Sequence, residues 1–190
     1  MDSMKSKIKL GINVEYSLRD KNGKLKPLFQ ENKFYKWLMS KGILSPKFPK
    51  IPFILGYWSS TKAIANLVTS AGAAGVASRI NGSGSEAAFT YIAVGTGTGA
   101  AAAGDTTLGT ELAASGLSRV AATASRVTTD VTNDTAQLAT TFTVTGTAAV
   151  TESGVLNAAS TGVLLARQVF SAINVVNGDS LTITWKFDVD

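Results

Sequence analysis

"SLTITWKFDV", residues 180–189, sets Leu181, Ile183, Trp185, Phe187 and Val189 at every second position, with Thr182, Thr184, Lys186 and Asp188 between them. Successive side chains of a strand point to opposite faces, so this period of two predicts a strand with one apolar face. The Asn177-Gly178 step before it suits a tight turn. Ala136, Leu138, Thr140, Phe142 and Val144 repeat the pattern. The run 117–131 joins that segment through Thr132-Asn133-Asp134, which predicts a long antiparallel hairpin. Such strands bury one face, so two sheets must close on each other to hide Phe142, Phe170, Trp185 and Phe187. Residues 89–190 are therefore predicted to form an antiparallel β-sandwich or barrel.

The same alternation appears near the start, where Ile8, Leu10, Ile12, Val14, Tyr16 and Leu18 predict a strand. Asp20-Lys21-Asn22-Gly23 turns it back into a short second strand over 24–29, giving an N-terminal hairpin. Residues 33–42 place Phe34, Trp37 and Leu38, with Met39 as a further candidate, on one face of a short helix that stops at Gly42. Three of the four prolines follow in "SPKFPKIPF", predicting an extended connector over 45–53. Thr61 is placed as the cap of a further helix whose apolar positions are Ile64, Leu67, Val68, Ala71, Ala74 and Val76, with Gly72 and Gly75 marking a close neighbour. Residues 81–85, "NGSGS", end that helix. The fold class is thus mainly β with minor α. Three units are expected: a basic docking segment over 1–60, a helix and linker over 61–88, and the β unit over 89–190.

Composition narrows the chemistry. Cysteine and histidine are both absent, which removes the thiolate nucleophile, the imidazole base and the two commonest zinc ligands. The first fifteen residues hold no unbroken apolar stretch, so synthesis in the cytoplasm is expected. Residues 63–80 are too rich in small and hydroxylic side chains for a membrane span. Residues 1–50 carry twelve Lys or Arg against four Asp or Glu, whereas the rest of the chain is slightly acidic. That asymmetry predicts a basic front that meets an acidic surface, with Lys5, Lys7, Lys9, Arg19, Lys21, Lys24, Lys26, Lys33 and Lys36 as docking cations.

Between strand and hairpin lies "FTYIAVGTGTGAAAAGDTTLGTEL", residues 89–112, whose glycines have the look of a phosphate cradle. A Walker-type loop needs a lysine and a hydroxyl after its last glycine, and this tract holds no lysine. Gly95 and Gly97 begin a dinucleotide-type pattern, but its third glycine position is Ala100 and no βαβ unit surrounds it. A connecting loop without a cofactor is the expectation. Asp105, Glu111, Asp130, Asp134, Glu152 and Asp179 are assigned to caps and turns rather than to a hydrolytic carboxylate pair. Glu152 and Arg167 are expected to pair across neighbouring strands. Arg79, Arg119, Arg126 and Arg167 are read as interface contacts.

Residues 89–112, "AVTESGVLNAAS" at 149–160 and "LLARQVFSAINVVNGDSLTITWKFDV" at 164–189 together resemble structural proteins of tailed bacteriophages. The resemblance implies a non-enzymatic virion component that decorates the capsid, with a tail or fibre anchor as the alternative within the class. It also implies partners among the major capsid or tail proteins, and a homo-oligomer, with a trimer as the arrangement it suggests. From other classes, Tyr57, Trp58 and the threonine-rich strands point to a carbohydrate-binding module. The lysine-rich front with its aromatic residues points to a nucleic-acid binder, against which Phe34 and Trp37 are assigned to a buried face.

Overall fold

The computed structural model describes residues 10–41, 43, 50, 54, 56–65 and 67–189. The chain forms β1 (Leu10–Arg19), β2 (Leu25–Lys26), β3 (Leu28–Glu31), α1 (Lys33–Ser40), β4 (Gly56–Ser59), β5 (Thr61–Ala65), β6 (Leu67–Val68) and α2 (Ser70–Asn81). It continues through β7 (Tyr91–Gly95), β8 (Val120–Ala121), β9 (Thr123–Val127), β10 (Thr135–Thr143), β11 (Ala148–Leu156), β12 (Leu164–Val175) and β13 (Ser180–Val189). The fold is mainly β, in antiparallel sheets of which none closes. A six-stranded sheet runs β2-β1-β13-β10-β9, with β5 also paired to β1. A five-stranded sheet runs β6-β12-β11-β7-β8, and β3 pairs with β4 alone.

Alternation in β13 works as the sequence requires: Leu181, Ile183 and Trp185 are wholly buried, Phe187 nearly so, and Val189 emerges at the end of the strand. One buried cluster takes side chains from both large sheets, including Val14, Tyr16 and Trp185 from the first and Val94, Val155 and Phe170 from the second. Tyr16 lies against Phe170 with ring centroids 4.3 Å apart, and Trp185 Nε1 donates to Ser153 Oγ at 3.2 Å. The front of the chain is built into this core. β1 pairs with β13 from Leu10↔Val189 to Arg19↔Ser180, so residues 10–19 are a central strand of the largest sheet and not part of a segment standing apart.

Three expectations need correction. Residues 61–65 and 67–68 are strand, not the first turns of a helix, because β5 finds a long-range partner in β1, from Asn13↔Ala65 to Ser17↔Thr61, and β6 pairs with β12. The helix starts after Thr69, whose Oγ1 accepts from Gly72 N at 2.9 Å, and ends at Gly82 in the left-handed region. Its glycines do mark close packing: a Cβ on Gly72 would stand 2.2 Å from the Leu165 carbonyl oxygen of β12. In α1 the buried face is Tyr35 and Leu38 against Phe29, while Phe34 and Trp37 stack on each other at half exposure. The expected long hairpin is short, with β9 and β10 paired from Thr123↔Ala139 to Thr135↔Val127. Its loop closes on Asp134, whose carboxylate accepts from the N–H groups of Thr129, Asp130 and Val131. The proline-rich connector at 45–53 falls almost wholly outside the described residues.

Among the described residues no helix is long and apolar enough to cross a membrane. Of the segment 63–80, residues 63–65 belong to β5, 67–68 to β6 and 70–80 to α2.

Tyr16 is fully buried and its hydroxyl has no hydrogen-bond partner among the described residues. Burial pushes its pKa well above the usual phenol value. An unmade hydrogen bond costs the desolvation of the group, and removing the group removes that cost. Tyr16→Phe is therefore expected to leave stability unchanged or raise it by up to about 1 kcal/mol in urea unfolding. A loss larger than that would show that the hydroxyl is bonded in solution.

Candidate functional site

The glycine tract leaves β7 and crosses the outer face of the five-stranded sheet. Leu108 packs there with Ala93, Leu156 and Leu164, so β11 is covered on both faces. This is why Glu152, in the middle of a strand, has no exposed surface.

An ion buried this way must have its lone pairs filled. Glu152 Oε1 accepts from Gly97 N at 2.9 Å and Thr110 N at 2.7 Å. Its Oε2 accepts from Gly109 N at 2.9 Å and from Arg167 Nε at 2.8 Å, with the second guanidinium nitrogen at 2.7 Å. Arg167 also reaches Asp105 Oδ2 at 2.8 Å and the Gly99 carbonyl at 3.2 Å, and Asp105 accepts from Ala102 N. Burial pushes the Glu152 carboxyl up. The N–H groups of Thr110 and Gly109, the Arg167 guanidinium and the Gly97 N–H outweigh it and hold the group below its ordinary value. Asp105 is likewise held low, first by the Ala102 N–H and then by Arg167.

The phosphate-like look of the tract has a physical basis. Its backbone N–H groups do converge on an anion, and the anion is the chain's own carboxylate. An external phosphate would have to displace Glu152 to reach Gly97, Gly109 and Thr110. Glycine is required by proximity, since a Cβ on either Gly95 or Gly97 would stand 2.4 Å from Glu152 Oε1. The flanking residues of β11 act in the same way: Thr151 Oγ1 donates to the Gly97 carbonyl at 2.8 Å and Ser153 Oγ to the Ala93 carbonyl at 3.0 Å. Three consecutive residues thus tie the tract and β7 to the sheet.

The expected Glu152–Arg167 pair is present, but Glu152 is neither a cap nor a turn residue and Arg167 is not an interface cation. Its guanidinium is buried and paired within the chain. Arg119 is corrected likewise. It grips Glu111 with two nitrogens, at 2.8 and 2.7 Å, and donates to the Ala158 and Thr161 carbonyls at 2.9 and 2.7 Å, pinning the β11–β12 loop. Arg79 is exposed on α2 and donates to the Glu86 carbonyl, and Arg126 is exposed on β9. Lys26, expected as a docking cation, pairs with the buried Asp179 at 2.7 Å and so closes the β12–β13 turn. Arg19 is exposed and donates to the Gly23 carbonyl. Lys21 and Lys24 are exposed in the β1–β2 turn, and Lys33 and Lys36 are exposed on α1. Lys5, Lys7 and Lys9 lie outside the described residues.

Sequence reasoning missed the three backbone donors to Glu152 and the Glu111–Arg119 and Lys26–Asp179 pairs. For Glu152 and Arg167 the signal was on the page: a single charge inside the apolar runs "VTESGVL" and "LLARQVF". Such a charge needs a dedicated partner. Among the described residues no three acidic side chains gather into a metal-holding group. Compared with known protein families, curated proteins and solved structures, the chain matches none of them.

Proposed function

We propose that this chain is a structural protein of a tailed-phage particle, decorating the capsid surface, in which the two large sheets face each other as an open β-sandwich. The observation that carries the reading is the use to which the motif residues are put. Gly97, Asp105, Gly109, Glu152 and Arg167, all within the stretches that resemble such proteins, bind one another and hold a long loop on a sheet. That is architecture rather than chemistry on a substrate. Open sheet edges support the same reading, because an edge strand such as β9, exposed along most of its length, offers unpaired backbone groups to a neighbouring chain. The cations exposed in the β1–β2 turn and on α1 supply a salt-sensitive attraction to an acidic lattice.

Cryo-electron microscopy of particles purified from cells making this chain tests the proposal. Density repeated over the shell, into which this fold can be placed, is the expected result. Density confined to the tail axis would replace decoration by a tail anchor. Absence of the chain from the particles would overturn the virion reading altogether.

A further inference from the structure

Helix α1 turns one face to the fold and another to solvent. Tyr35 and Leu38 pack with Phe29, whereas Lys33, Phe34, Lys36 and Trp37, with Lys41 just past the last turn, are exposed. We infer that this outer face is a docking surface for an anionic lipid bilayer. The inference does not rest on the virion proposal, since Lys21 and Lys24 in the β1–β2 turn serve a lattice contact without α1.

The apolar part of the surface runs past both ends of the helix. Phe34 and Trp37, about one turn apart, stack on each other with ring centroids 6.1 Å apart. Asn32 accepts from Tyr35 N at 2.8 Å, capping α1, and donates to the Ile54 carbonyl at 2.8 Å, which sets Ile54 beside the first turn. Ile43 N donates to the Leu38 carbonyl at 3.0 Å, which sets Ile43 beside the last. All four apolar side chains are more than half exposed. Large apolar groups gathered on the outside of a fold mark an interaction surface, and an interfacial helix sinks such groups into the boundary between headgroups and acyl chains.

Charge selects the kind of surface. Residues 32–58 hold five lysines and no acidic residue, and the nearest acid in the sequence, Glu31, precedes the helix. Lys33, Lys36 and Lys41 are exposed alongside the aromatic pair. A neutral bilayer gives these ammonium groups no counter-charge, whereas anionic headgroups attract each of them while the lysine stems lie along apolar surface. Tryptophan suits the same boundary, where its ring sits at headgroup level. Single-stranded nucleic acid shares the negative charge but fits the apolar part poorly. Isoleucine has no ring to stack on a base, and Phe34 and Trp37 already stack on each other.

The test is flotation of the full chain with vesicles of phosphatidylglycerol and phosphatidylcholine in equal parts, and with vesicles of phosphatidylcholine alone. Binding to the first and not to the second is expected, and it should weaken strongly in about 1 M salt, where charge reaches only about 3 Å. Phe34→Ala combined with Trp37→Ala should weaken binding at least about tenfold while keeping the parent's cooperative unfolding transition. Lys33→Gln combined with Lys41→Gln should weaken it about thirtyfold, the worth of two lysines at an anionic surface. Lys21→Gln combined with Lys24→Gln, in the β1–β2 turn, should change it less than about threefold. No binding to the anionic vesicles, or equal binding to phosphatidylcholine alone, would overturn the inference. So would vesicle binding that the Lys21 and Lys24 pair abolishes and the Phe34 and Trp37 pair does not, or binding of oligothymidylate that the Phe34 and Trp37 pair abolishes.

Discussion

Glu152→Gln is expected to destabilise the fold by about 3 kcal/mol, because it breaks a buried ion pair and leaves the Arg167 guanidinium with only the partly exposed Asp105 as counter-charge. A glutamine fits the space, but its amide nitrogen would face Gly109 N and the Arg167 guanidinium, donor against donor, where Oε2 now accepts. Chemical denaturation of the two proteins measures the difference, with the exposed Glu15→Gln as a control expected to change stability by less than about 0.5 kcal/mol. The variant should also lose part of the acid sensitivity of the parent. Glu152 and Asp105 both have folded-state pKa values below their ordinary ones, as does Asp134 in the β9–β10 loop. A depressed carboxyl contributes stability that is complete above its unfolded value, about 4, and is lost as the pH falls through the folded value. Stability should therefore be level near neutral pH and fall below about pH 4. The fall should be shallower in Glu152→Gln.

Trp185→Ala should cost about 3–5 kcal/mol, the usual loss for truncating a buried tryptophan. Trp185 has no exposed surface, sits in register with Val14 on one side and Leu138 on the other, and reaches across to Ser153 of the second sheet. The cavity would open at the point where both sheets meet, and the Ser153 hydroxyl would lose a donor. Because β1 pairs with β13 along its whole length, the loss should appear as one cooperative transition reported equally by probes in β1 and in β12. A residual transition confined to the front of the chain would show that residues 10–31 fold on their own.

What the sequence could and could not reveal follows the range of the forces involved. Strands β1, β10 and β13 were legible because each has one dry and one wet face, which writes a period of two into the residues. β11 was not legible in that way, since the glycine tract covers its outer face and "TESGVL" loses its alternation. Residues 61–65 carry apolar spacing that also suits a helix, and their strand state is imposed by β1, far away in sequence. In α1 Leu38 lies on the packed face as expected, but that its companion is Tyr35 rather than Phe34 and Trp37 depends on where Phe29 lies, which is a tertiary fact. The pairing of the two charges in β11 and β12 was foreseen from their neighbouring strands. The role of the backbone donors was not, because an N–H group has no letter in a sequence.

The account turns on the claim that the glycine tract is folded around an internal anion. The most direct test is a pH titration of the Glu152 side-chain carboxyl by ¹³C NMR in labelled protein, repeated with inorganic phosphate present. The account predicts a midpoint below that of an ordinary glutamate and no response to phosphate, since the three N–H groups are already taken. A midpoint at or above the ordinary value, or amide shifts at Gly97, Gly109 and Thr110 on adding phosphate, would contradict it and return the tract to the class of anion-binding loops.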